Sequence, residues 1–266
     1  MRRSTRPSTA QLPTTAPGGD VPDLSTIAWG LLVVAAFTVG ISKTSLPGAS
    51  ILSVAIFAAI LPAKQSTGAL LLLLIVADMF AVLTYRRHAN WPALLRLAPA
   101  VLVGVVLGVA FLAFAPDQWV KRFIGVILLV LIAITLFRRR VQAQVLDGGR
   151  HRVAAASYGT LGGFTTMVAN AGGPVMSMYF LASRFEVKEF LGTAAWFFAL
   201  VNLTKVPFSI GLGLITVPEL LLDLVLVPAV VAGALLGRWL AQRLNQVLFD
   251  RIVITLTIVG AVYLLF

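Results

Sequence analysis

The chain has 266 residues, of which 59% are hydrophobic and only 12% charged, with a net charge of +11 and no cysteine. That composition excludes an ordinary soluble domain, which needs far more polar surface. It also excludes disulfides and thiolate metal sites, and the two histidines, His88 and His151, both fall in basic loops rather than in a metal-ligand pattern.

Residues 1–25 are polar and rich in Pro, Thr, Ser and Gly, which reads as a disordered tail. Arg2, Arg3 and Arg6 imitate the start of a signal peptide, but the apolar run begins only near Ile27, so a cleaved signal is not expected. Ten apolar segments follow. The first five cover roughly 27–42, 49–61, 67–85, 93–114 and 119–137. A basic linker, 138–152, separates them from five more at roughly 153–168, 173–183, 187–209, 217–237 and 247–266. This is the pattern of an all-α polytopic membrane protein, with a first transmembrane repeat at 26–137 and a second at 153–266. A transmembrane barrel would alternate over short segments instead.

The halves resemble each other. Pro99–Gly108, "PAVLVGVVLG", matches Pro228–Gly237, "PAVVAGALLG", at six of ten positions. Gly48, Gly68 and Asp78 match Gly172, Gly192 and Asn202 at one common spacing. An odd number of segments per half inverts the second half relative to the first. With the linker in the cytoplasm, thirteen Lys and Arg fall in cytoplasmic loops and six on the other side, so both termini are expected outside. The basic charge therefore serves topology, and no nucleic-acid partner is expected.

Each half opens with a pair of short segments, too short to cross a bilayer core of ~30 Å comfortably. They read as half-helices or hairpins that meet near the midplane. Each pair is split by a stretch unsuited to a helix: Gly40–Ser50, "GISKTSLPGAS", and Asn170–Pro174 within "TTMVANAGGPVMSMYF". Non-helical backbone at membrane depth is tolerated where protein buries it or where it lines a wet cavity. Helix starts at such breaks favour an anion. The candidate substrate-binding residues are therefore Lys43, Thr44, Ser45, Gly48, Asn170, Gly172, Gly173 and Asn202. Asn170 is either a helix cap or a substrate ligand. The alternative is that both breaks are plain turns at the membrane surface.

Asp78 has apolar neighbours on both sides and reads either as a proton-coupling carboxylate or as half of an ion pair with Lys43 or Lys205. Lys205, about four residues from the end of its segment, is expected to snorkel to the surface. Glu219 and Asp223 suit a helix start. Gly104, Gly108, Gly233 and Gly237 suit close helix packing.

The two Gly/Pro-rich breaks, the "YRR" turn at Tyr85–Arg87 and the Pro-x-x-x-x-Gly-x-x-x-Gly segment in each half resemble the TauE/SafE sulfite exporter family. The resemblance covers about 27–266. Its first break, with one glycine in "SLPGAS", departs from a family pattern that is often richer in glycine. The resemblance implies a carrier in the cytoplasmic membrane for sulfite or organosulfur anions such as sulfoacetate, with no cofactor. An enzyme would need a nucleophile with its base, or a metal cluster, at membrane depth, and the sequence offers neither. No Gly-x-x-x-x-Gly-Lys-Ser/Thr loop is present for an ATPase site. A non-catalytic membrane scaffold, or a carrier of another small anion, is the alternative. Oligomeric state is open.

Overall fold

A computed structural model describes residues 24–45, 49–138 and 150–240, with isolated positions between 255 and 265. Most of the N-terminal tail, Pro47 and Gly48 of the first break, most of the basic linker and most of the tenth segment lie outside the described residues. Among the described residues the chain is helical and has no strand. The long helices are α1 (Thr26–Thr44), α3 (Ala63–Tyr85), α4 (Trp91–Phe114), α5 (Asp117–Arg138), α6 (Arg150–Ala169), α8 (Val187–Gly211) and α9 (Val217–Leu240). Two short ones, α2 (Ser50–Ile60) and α7 (Gly172–Ala182), follow the breaks. Five of these helices, α1, α3, α4, α8 and α9, are long and apolar enough to span a membrane. Their outward faces keep large apolar side chains exposed, including Leu95, Val106 and Phe114 on α4 and Leu220 and Leu224 on α9, as lipid contact requires.

The expectation of paired short segments holds for one member of each pair. α2 and α7 have 11 residues each. α1 has 19 and α6 has 20, about 28 and 30 Å of helix. Lys43 lies within α1, which runs on to Thr44. Each long helix turns back through its break into a short one. Ser53 Oγ donates to Ala35 O at 2.8 Å, which clips α2 onto α1. At the tip, Ser50 N–H donates to Ser42 Oγ at 3.0 Å.

α3 and α8 run antiparallel through the middle. Gly192 near the start of α8 lies against Tyr85 and His88, and Leu214 just past its end lies against Gly68. The two hairpins approach this central pair from opposite ends. Tyr85 Oη donates to Thr44 O at 3.0 Å at the tip of the first. At the tip of the second, Thr67 Oγ1 donates to Val168 O at 3.1 Å and Asn170 Nδ2 donates to Thr67 O at 2.8 Å. Thr67 and Tyr85 are about 27 Å apart along α3.

Glycine seams lock α1 to α9 and α4 to α6, each pair running in the same direction. A Cβ on Gly40 would fall 2.1 Å from Val230 O, one on Gly233 2.1 Å from Phe37 O, and one on Gly104 2.1 Å from Thr160 O. Backbone meets backbone there, and only glycine permits it. Gly108 and Gly237 meet side-chain atoms of Met167 and Thr44. The packing role expected for these four glycines is what they have.

Several helix starts are satisfied by polar side chains. Both Asp117 carboxylate oxygens accept from the first N–H groups of α3, at Ala63 and Lys64. Asn90 caps α4 through Ala93 N–H. Glu219 accepts from Thr216 N–H at 3.0 Å and pairs with the Thr216 hydroxyl, so its carboxylate serves the backbone at the start of α9. Asp223 does not share that role. It is buried one turn further on, and among the described residues neither of its oxygens has a hydrogen-bond partner.

Adding even a methyl group at Gly233 forces α1 away from α9. Gly233→Ala is expected to destabilise the protein by roughly 1–3 kcal/mol, seen as a lower midpoint of thermal unfolding in detergent. Gly30→Ala, where a Cβ meets nothing within 4 Å, should leave the midpoint unchanged or raised.

Candidate functional site

A cavity of about 40 Å³ lies between the hairpin tips and the central pair α3 and α8. On the scale of water-sized spheres it holds roughly three waters, or one small ion. The first hairpin contributes Ser42, Lys43 and Ser50, and the second contributes Thr166, Asn170 and Gly173. Asp78 of α3 and Phe198 and Asn202 of α8 complete its polar and aromatic wall. The described residues flanking the first break and those of the second are largely buried, with Thr44 1%, Asn170 5% and Ala171 1% exposed.

One chain of polar contacts crosses the site. Lys43 Nζ is 2.7 Å from Asp78 Oδ1 and lies over the Phe198 ring, 4.2 Å from its centre. Asn202 Nδ2 donates to Asp78 Oδ2 at 2.7 Å. The same amide accepts from Lys205 Nζ at 3.3 Å. Lys205 Nζ also donates to Thr166 O and Asn170 Oδ1, each at 2.6 Å. Asn170 passes the chain on to Thr67 O.

Lys205, expected to snorkel, is instead 0% exposed. Oxygens from α6, from the second break and from α8 surround its ammonium, so it has no need of the surface. All of these acceptors are neutral. The contact between Asp78 and Lys43 pairs one positive charge with one negative, and with all three groups ionised the cluster carries +1. A buried cation held only by neutral oxygens attracts an anion.

Asn170 does not cap α7, whose start has no side-chain cap. Its backbone is in the left-handed region, φ 50°, and its side chain points back to Thr67 and Lys205. No side chain caps the first turn of α7, and Gly173 stands at the cavity wall. Gly172 serves packing rather than the cavity: a Cβ there would meet Thr166 Cβ at 2.9 Å and Gly162 O at 3.0 Å. Thr44 and Ser45 also stand off the cavity. Thr44 O is taken by Tyr85, and the Ser45 hydroxyl donates back to Ile41 O at 2.9 Å. Of the residues singled out from sequence, Lys43, Asp78, Asn170, Gly173 and Asn202 line the cavity, and Lys205 stands behind it. Ser42, Thr166 and Phe198 were missed, and Ser50, at the end of the first break, also lines the wall. Ser42, Ser50 and Thr166 lie in or beside the two breaks, and Phe198 is one helical turn before Asn202, a spacing that puts both on one face.

Residues 32–264, nearly the whole chain, match the family model described as sulfite exporter TauE/SafE. The chain belongs to this family. Comparison with curated proteins and with solved structures gives no significant match. TauE/SafE membership, with the apolar helices, makes the chain a multi-pass integral membrane protein of a family that transports sulfite-type anions.

Asn170 tests the site's construction. Asn170→Gly removes the bonds to Thr67 and Lys205 but tolerates the left-handed backbone, and is expected to cost about 2–4 kcal/mol. Asn170→Ala loses the same bonds and adds strain of roughly 1–2 kcal/mol. Thermal unfolding should rank parent above Gly above Ala. The reverse order of the two variants would show that the backbone angle is not under constraint.

Proposed function

We propose that this TauE/SafE protein is a secondary carrier that exports small sulfur oxoanions, such as sulfite or sulfoacetate, across the cytoplasmic membrane by alternating access. The single observation that carries the reading is Lys205. A fully buried ammonium, with only neutral oxygens around it, stands beside a cavity of one small ion's size. Lys205 supplies the standing positive charge, Lys43 a second charge that can be redirected, and Asn202, Ser42, Ser50 and the N–H groups at the start of α7 supply hydrogen bonds to the oxyanion. Phe198 is the apolar floor under Lys43.

Two inverted halves would supply the gates. The reading is supported by the hairpin tips, which reach α3 near opposite ends, and by the seams, which join α1 to α9 and α4 to α6 as a two-fold exchange of the halves requires. It is supported also by Asp78 and Asn202, matched positions of the two halves that touch each other. Each tip is held to α3 by a few hydrogen bonds, few enough to break in turn. With the basic linker in the cytoplasm, the first hairpin gates the inner side, the second gates the outer side, and both termini lie outside.

Radiolabelled sulfite uptake into proteoliposomes tests this. Uptake above that of empty liposomes is expected, and Lys205→Met should lower its initial rate at least tenfold. A folded Lys205→Met protein with the parental rate would sink the site. Movement of sulfoacetate or thiosulfate without sulfite would keep the carrier and change the substrate. No movement of any anion by folded protein would leave a scaffold.

A further inference from the structure

The Asp78 carboxylate sits where the substrate should. We propose that Asp78 is a built-in competitor of the transported anion: its carboxylate fills the anion seat of the empty site, and it yields the seat by taking a proton as the anion binds. This rests on the reading of the cavity as the anion site.

The seat is defined by what holds Asp78. Lys43, from α1, pairs with Oδ1 as a counter-ion, and Asn202, from α8, donates to Oδ2, both at 2.7 Å. A cation and an amide N–H on adjacent oxygens are also what one edge of a sulfite or sulfonate group asks for. Asp78 lies on the cavity wall, 1% exposed, so solvent does not replace either donor. An ammonium has three N–H groups. Lys43 can thus turn from Asp78 to an anion in the cavity without leaving the Phe198 ring.

Charge sets the rule of exchange. With Asp78 ionised, an incoming anion meets a like charge beside the seat and shares Lys43 with it. Two anions in one buried pocket repel. A proton on Asp78 removes that repulsion and raises the charge of the cluster from +1 to +2. It also changes one carboxyl oxygen from acceptor to donor, so Asp78 can itself hydrogen-bond the anion that displaces it. The charged groups bearing on Asp78 are Lys43 from α1 and Lys205 from α8. α2, which also packs on α3, has no ionisable residue. Neither cation needs to titrate for the exchange. One proton therefore accompanies one anion. Binding is tightest at low pH, where Asp78 gains its proton readily, and weakens as pH rises, by up to about tenfold per unit for a single linked proton.

The test is binding, not transport. Methanesulfonate is the probe, since its own charge does not change near neutrality. Calorimetric titration of the purified protein in detergent at pH 6, 7 and 8 would compare the parent with Asp78→Asn. The parent is expected to lose affinity as pH rises. Asp78→Asn is expected to bind at pH 8 at least tenfold more tightly than the parent and with no dependence on pH. A folded Asp78→Asn that binds no better than the parent at pH 8 overturns the proposal and makes Asp78 a structural partner of Lys43. If Asp78→Asn does not fold, the slope of the parent decides, and a flat profile overturns the proposal. If neither methanesulfonate nor sulfite binds the folded parent at any pH, the cavity is not the anion site, and that result is distinct from binding with equal affinity in parent and variant.

Discussion

A hydrocarbon interior provides no hydrogen bonds, so every polar group the chain carries to that depth must find its partner in the protein. The described residues beside two breaks in the backbone, with Asp78 and Lys205, are buried inside the protein, and Lys43 nearly so. The solution is a single chain of contacts, Lys43 to Asp78 to Asn202 to Lys205 to Asn170 to Thr67. It joins the first hairpin, the central pair of helices and the tip of the second hairpin. Asn202 gives its N–H to one neighbour and its oxygen to the next, and Asn170 does the same. Both amides are therefore oriented by the charges they connect.

This arrangement differs from a buried salt bridge kept for stability, which often gains little. Asp78 and Lys43 answer each other, but among the described residues no carboxylate contacts Lys205. A chain under selection for stability alone would gain from a methionine there. An ammonium that stays fully buried among neutral oxygens fits a site that waits for a negative partner.

The helices were legible because apolar runs end sharply at polar and Gly/Pro-rich stretches. The segments drawn at 187–209 and 217–237 correspond to Val187–Gly211 and Val217–Leu240. The site was legible in part, because intramembrane Asp78, Lys43 and Asn202 stand out against their apolar neighbours. What sequence could not supply was direction. Lys205 stands six residues before the last residue of α8, where the surface is within reach. Its real partners come from residues 35 and 39 positions earlier, on a hairpin whose path no local pattern announces. Gly172 and Gly173 are neighbours of one type, yet one is pressed against α6 and the other faces the cavity. That choice depends on which side of α7 meets α6, a matter of packing rather than composition.

The glycine seams have a mechanical consequence. At Gly40, Gly104 and Gly233 the neighbouring helix backbones are too close for a Cβ, so the paired helices cannot roll over one another without collision. α1 must then travel with α9, and α6 with α4. Each hairpin is thus bolted to a helix of the opposite half of the chain. In the alternating access proposed above, the units that rock about α3 and α8 would then be not the two halves of the sequence but two hybrids, each with a hinge arm borrowed from the other, so that neither half would move while the other stood still.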